Sequence, residues 1–136
     1  MNAEVHNGGC FCGAVRYAVM GNASFLCFCH CTSCRRAAGA TPVAWGTFKL
    51  SDFRVSHGHL GKMVTSPGVT RGHCEQCGTS LTYQHEKRAA DIDVTLATFD
   101  DTAGLRPTAH IWVEDRLPWV QIGDGLPQYS KGITGA

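Results

Sequence analysis

Eight cysteines stand in this chain of 136 residues: Cys10, Cys12, Cys27, Cys29, Cys31, Cys34, Cys74 and Cys77. They are clustered, not dispersed. A disulfide framework spreads its cysteines so that each bridge closes a long loop. Here neighbours are one or two residues apart, and a bridge across so short a gap is strained. Thiols at such spacings suit a metal ion better. The pair Cys74-Glu75-Gln76-Cys77 can bring two thiolates to one tetrahedral zinc, at about 2.3 Å each. Gly78 follows, where a tight turn calls for positive φ. Cys10-Phe11-Cys12 offers two more thiolates, again followed by a glycine. Together the four close a coordination sphere, so this site reads as structural. It would tie the start of the chain to its middle, and its binding energy would be folding energy. The competing reading is a redox pair at Cys74 and Cys77. That motif usually opens a helix, whereas the residues after Gly78 read as a strand.

The second cluster, Cys29-His30-Cys31-Thr32-Ser33-Cys34, packs three thiols into six residues. Three protein ligands and one exchangeable position are the signature of a catalytic zinc. Cys27 is the competitor for the fourth place, since it shares a face with Cys29 in an extended segment. A strand rising ~3.3 Å per residue would hold it ~13 Å from Cys31, so it closes the site only if the chain curls. Otherwise Cys27 is a buried strand thiol. His30, between two ligands, is expected to point away and to be hydrogen-bonded elsewhere.

The elements that must hold these groups are short. Ala14–Val19, Ser24–Cys29, Val43–Phe48, Phe53–Ser56, Lys62–Ser66, Val69–His73, Thr79–Tyr83, Asp91–Leu96 and His110–Val113 read as strands, rich in Val, Thr and aromatics and bounded by turn residues. Only Ser33–Gly39 reads as a helix, ended by Gly39 and Pro42. The fold class is therefore mostly β: short antiparallel sheets cross-linked by the four-cysteine zinc, with one short helix after the second cluster. No repeat or linker interrupts residues 1–136, which are read as one domain. The tail from Leu117 to Tyr129 is apolar and turn-rich. It is expected to pack across the body of the domain, with a pocket wall carrying Trp112 and Trp119 as the functional alternative.

Net charge is +1, from 12 basic and 11 acidic residues. That supplies no basic excess for a nucleic-acid backbone. No run of 18 apolar residues suggests a membrane span, and the amino terminus lacks the pattern of a secretory signal. The expectation is a cytoplasmic protein.

Gly8-Gly9-Cys10-Phe11-Cys12-Gly13-Ala14-Val15-Arg16-Tyr17 resembles the opening motif of the glutathione-dependent formaldehyde-activating family, also called the CENP-V/GFA family. Cys29 to Arg36 resembles its middle motif and Cys74 to Gly78 its third. His110 to Val113, Pro118-Trp119 and Asp124 to Pro127 resemble its carboxy-terminal pattern. The resemblance implies an all-β fold held by zinc. It implies a structural zinc on Cys10, Cys12, Cys74 and Cys77, and a second, more labile zinc at an active site of Cys29, Cys31 and Cys34. Cys27 lies outside the family motif. The implied activity is that of a carbon–sulfur lyase joining glutathione and formaldehyde as S-(hydroxymethyl)glutathione, with no nucleic-acid or membrane partner. A zinc-stabilised binding module without catalysis is the alternative.

A fourth thiolate beside three would leave the zinc site at about −2, so nearby cations are needed. Arg35 is the candidate, with a second role in gripping substrate carboxylates. Arg36 reads as solvated helix surface. His110 is the candidate proton donor to the developing alkoxide.

Overall fold

The computed structural model describes residues 4–132. Residues 1–3 and 133–136, the two ends of the expected domain, lie outside the described residues. The elements run β1 (Val5–Gly9), β2 (Arg16–Met20), β3 (Phe25–Cys29), α1 (Thr32–Ala38), β4 (Val43–Lys49), β5 (Phe53–His57), β6 (Gly61–Ser66), β7 (Val69–His73), β8 (Ser80–His85), β9 (Asp91–Thr95) and β10 (Ala109–Ile111). The chain is mostly β, with one α-helix among the described residues, directly after the second cysteine cluster. α1 begins and ends one residue earlier than the sequence suggests. Gly39 terminates it in the left-handed conformation at φ 65, its N–H returning to the Arg35 carbonyl at 2.8 Å. Nothing in Val5-His6-Asn7-Gly8-Gly9 signals β1, because Asn-Gly-Gly reads as a turn. Antiparallel pairing with β2 makes it a strand.

The strands form two sheets, one of order β1-β2-β5 and a wide one of order β10-β3-β4-β9-β8-β7-β6. All neighbours are antiparallel except β10 with β3. The period of two along β4 and β9 sends alternate side chains to opposite faces. Phe48, Ile92 and Val94 turn to one face and meet Val15, Tyr17 and Val19 of the small sheet. Tyr17 stacks on Phe53 at 5.5 Å and meets Phe99 edge-on at 5.2 Å. This is the main core, in which each fully buried large side chain contributes roughly 1.5–3 kcal/mol. The other face of β3, β4, β9, β8 and β7 carries Cys27, Cys29, Trp45, Thr47, Asp93, Tyr83 and Arg71. That face, with α1 and the chain after β10, makes the site.

Candidate functional site

The four-cysteine group is built from two similar turns. In the β1–β2 connection, the Gly13 N–H donates to the Cys10 carbonyl at 3.2 Å and the Val15 N–H to Cys10 Sγ at 3.2 Å. In the β7–β8 connection, the Gly78 N–H donates to the Cys74 carbonyl at 2.9 Å and the Cys77 N–H to Cys74 Sγ at 3.4 Å. Gly13 and Gly78 both have φ of 80. A Cβ at either would meet nothing within 4 Å, so the requirement is conformational and not one of space. The turns aim backbone donors at sulfur, which favours the thiolate. Hydrogen bonds from the hydroxyl and backbone N–H of Thr79 hold the Cys77 thiol down at about 5. A tetrahedron of thiolates about 2.3 Å from a central ion has edges of about 3.8 Å. The Cys10–Cys12 and Cys12–Cys74 sulfurs are each 3.7 Å apart, and all four lie within 4.8 Å of one another. The residues fit a closed metal site that joins the small sheet to the large one.

The three-cysteine group sits where β3 runs into α1. Cys29 ends the strand, Cys31 is the N-cap of the helix, and Cys34 lies in its first turn. Their sulfurs also lie within 4.8 Å of one another, and among the described residues no fourth Cys, His, Asp or Glu belongs to the group. The Cys31 side chain accepts the Cys34 N–H at 3.3 Å, the hydrogen bond that an N-cap makes. The Cys31 thiol is held down at about 3, first by hydrogen bonds from Cys29 and Cys34, with the charge of Arg71 adding to them. The same contact with Cys31 pushes Cys29 strongly up. The soft sulfur donor set suits zinc.

These sulfurs open on a cavity of about 820 Å³ whose walls include Phe25, Trp45, Tyr83 and Trp112. One row of the wide sheet forms its polar side. Phe25 pairs with Thr47, Thr47 with Asp93, Asp93 with Tyr83, and Tyr83 with Arg71, so these side chains share one face. Asp93 is held by Thr47 Oγ1 at 2.6 Å and by Arg88 at 2.8 Å. Burial nevertheless pushes its carboxyl above the ordinary range. Arg71 is only 7% exposed; its Nη2 donates to Cys34 Sγ at 3.7 Å and its guanidinium lies 4.9 Å over the Tyr83 ring.

The structure brings Cys29, Cys31 and Cys34 together, and separately Cys10, Cys12, Cys74 and Cys77. Cys27 lines the same cavity, buried and outside the three-thiol group, and burial pushes its thiol up to about 12. Arg35, on α1, is half-buried and does not line the cavity, and Arg36 is exposed. The cation that meets Cys34 is Arg71. His110 pairs in register with Phe28, whose side chain points to the opposite face from Cys27 and Cys29. Both its ring nitrogens are engaged, by His30 Nε2 at 2.8 Å and by Asp124 Oδ2 at 2.7 Å. It is therefore turned from the cavity, as is His30, whose hydrogen bond to His110 fits the expectation of a histidine pointing away. The chain after β10 does pack back on the body, with the His110 and Tyr129 backbones hydrogen-bonded. Trp112 reaches the cavity wall from a left-handed backbone at φ 57, uncommon for so bulky a residue. Trp119, expected in the core or a pocket wall, is 72% exposed. Sequence reasoning passed over Arg71, Asp93, Tyr83 and Trp45. One signal was available: Arg71 shares a strand face with Val69, and a cation among alternating apolar positions asks for a partner.

The family model described as glutathione-dependent formaldehyde-activating enzyme matches residues 5–115. A Halomonas elongata protein, provisionally named a glutathione-dependent formaldehyde-activating enzyme, is 29% identical over 126 residues, covering 85% of this chain and 79% of the relative. The crystal structure of a Rhodobacter sphaeroides protein superposes with a TM-score of 0.58 at 24% identity. It covers 90% of this chain and 98% of its own, a likeness of fold.

Proposed function

Because the chain belongs to the glutathione-dependent formaldehyde-activating enzyme family, we propose that it is a zinc-dependent carbon–sulfur lyase. It forms or cleaves the adduct of a small thiol with an aldehyde, and S-(hydroxymethyl)glutathione is the case the family name indicates. The observation that carries this reading is a group of three thiols, not four, opening on a cavity large enough for a small molecule. Its volume lies within the range of about 300–1,000 Å³ usual for such sites. The four-thiol group is read as a structural zinc site, residues 1–136 as one domain, and the protein as cytoplasmic.

In the synthetic direction a C–S bond forms, the carbonyl π electrons move to oxygen, and the thiol proton ends on that oxygen. Zinc held by three thiolates supplies one further position at which a thiol is kept as thiolate at neutral pH, where a free thiol with a pKa near ~8.5 is only a few per cent ionised. Cys29, Cys31 and Cys34 are the residues that would hold it. Their placement on a strand end and the helix turn that follows makes the position rigid, so the aldehyde meets an oriented nucleophile. Phe25, Trp45, Tyr83 and Trp112 shed water from the reacting atoms. Lys87, exposed at the cavity's edge, and Arg88 are the cations that a carboxylate-bearing thiol such as glutathione would meet.

The test is the interconversion of glutathione, formaldehyde and their adduct at equilibrium, followed by NMR exchange. Zinc-loaded protein should raise the exchange rate above the spontaneous one in proportion to its concentration, and Cys31→Ser should abolish the increment. Exchange at the spontaneous rate in protein carrying two zinc ions would leave a binding module and refute the lyase reading.

A further inference from the structure

We propose that Arg71 is the counter-charge that lets the three-thiol site accept the sulfur of a substrate as a thiolate. The inference rests on the lyase reading and deepens it by naming a positioning residue for the thiol. Arg71 is more than nine-tenths buried at the centre of β7. Among the described residues, the arginine ion pairs are Arg16 with Asp100 and Arg88 with Asp91 and Asp93. Arg71 has no carboxylate. The one in its own row of the sheet, Asp93, is taken by Arg88 and Thr47. A buried guanidinium without a counter-ion is costly, so the fold must offset it by another route. Its Nη2 meets Cys34 Sγ at 3.7 Å, and its face meets the Tyr83 ring. Its Nη1 is buried and has no hydrogen-bond partner.

The charge arithmetic explains the arrangement. Three thiolates and a divalent ion sum to about −1, which one guanidinium balances; a fourth thiolate adds a further charge. The guanidinium carries its charge beside the Cys34 sulfur through Nη2. Arg71 also lines the cavity, so its charge faces a sulfur arriving next to the three already there. A hydrogen bond to a charged group is typically worth about ten- to a hundredfold in an equilibrium constant. Arg71 thereby takes the role that the sequence alone assigned to Arg35.

Cobalt(II)-loaded protein tests this without turnover, because thiolate binding is read in the sulfur-to-cobalt charge-transfer absorption. Wild type, Arg71→Met and Arg71→Lys are titrated with glutathione and with 2-mercaptoethanol, and metal content is counted. Arg71→Met should keep two ions and bind both thiols at least about tenfold more weakly. Arg71→Lys, which keeps the charge but loses the planar fork and the stacking on Tyr83, should bind both thiols more tightly than Arg71→Met and less tightly than wild type. Unchanged binding by Arg71→Met overturns the inference, as does binding by Arg71→Lys no tighter than by Arg71→Met. Weakening of glutathione but not of 2-mercaptoethanol overturns it too, since Arg71 would then recognise carboxylates. If Arg71→Met does not fold, Arg71→Gln replaces it. Failure of both to fold, or loss of the second ion, assigns Arg71 to the fold and overturns the proposal. A wild-type protein that binds neither thiol refutes the lyase reading itself.

Discussion

The two cysteine groups bring the same donor atoms together in different settings. The four-thiol group joins two turns some 60 residues apart in sequence, each closed by a glycine at φ 80. It lies between the sheets, and its partners are backbone N–H groups and Thr79. The three-thiol group is local, drawn from one strand end and the first turn of one helix. Its partners are a cavity, a row of polar side chains and a buried arginine. In the proposed reading, four ligands from distant segments would make an ion part of the fold. Three from one short segment would, on the same reading, leave the fold able to stand without one. Ligand count and sequence separation are thus the two features on which the proposed division into a structural and a catalytic ion rests.

The largest test of the contrast is Cys10→Ser or Cys77→Ser. A structural zinc contributes about 10–16 kcal/mol in zinc-finger peptides, comparable to or above the whole stability of a domain, about 5–15 kcal/mol. Either variant should fail to give folded protein, judged by circular dichroism and sedimentation. A folded Cys77→Ser with a cooperative melt would break the contrast at its first term.

Next is Cys31→Ser. It should fold with a stability loss below about 2 kcal/mol, retain one zinc in place of two, and lose the catalysed exchange. Chelation should sharpen the same point: the ion of the three-thiol group leaves with the far-ultraviolet spectrum intact, that of the four-thiol group only with unfolding. Simultaneous release of both would make the two groups equivalent.

A smaller effect is expected from Gly78→Ala. The left-handed backbone costs an L-residue about 1–2 kcal/mol, and no neighbour crowds the new methyl. Gly39→Ala at the end of α1 should cost about the same, yet leave the ion of the four-thiol group as tightly held as in wild type. Thermal melts with metal counts separate the two.

The smallest effect should come from Cys27→Ser, with metal content unchanged at two. Burial raises the Cys27 thiol to about 12, so the neutral form persists from pH 7 to 9 and thiolate forms only well above. Iodoacetamide should therefore label Cys27 in native protein far more slowly than free cysteine over that range. Loss of the second ion in Cys27→Ser would move this thiol into the ligand set.

Much of this was legible in advance. The spacing of the cysteines separates the two groups, and the short Val-, Thr- and aromatic-rich runs mark most of the strands. Gly78 and Gly39 announce their turns because no other residue adopts positive φ so cheaply. β1 was not legible, because Asn7-Gly8-Gly9 has turn chemistry that only pairing with β2 overrides. His110 looked available as a proton donor until the parallel pairing of β10 with β3 put it in register with Phe28, on the wrong face. Trp112 and Trp119 looked alike as apolar residues of one segment. The left-handed backbone at Trp112 carries one to the cavity, and the other is left in solvent.

What the sequence determined by itself is local: which thiols can share an ion, where chain direction must reverse, and which stretches are extended. Those follow from bond lengths, φ preferences and a period of two, all set within a few residues. What only the tertiary structure decided is which strands lie side by side, and hence that Thr47, Asp93, Tyr83 and Arg71 form one row facing Cys34. Each sits on a different strand, and side chains that meet across a sheet are chosen by register, which no single segment encodes.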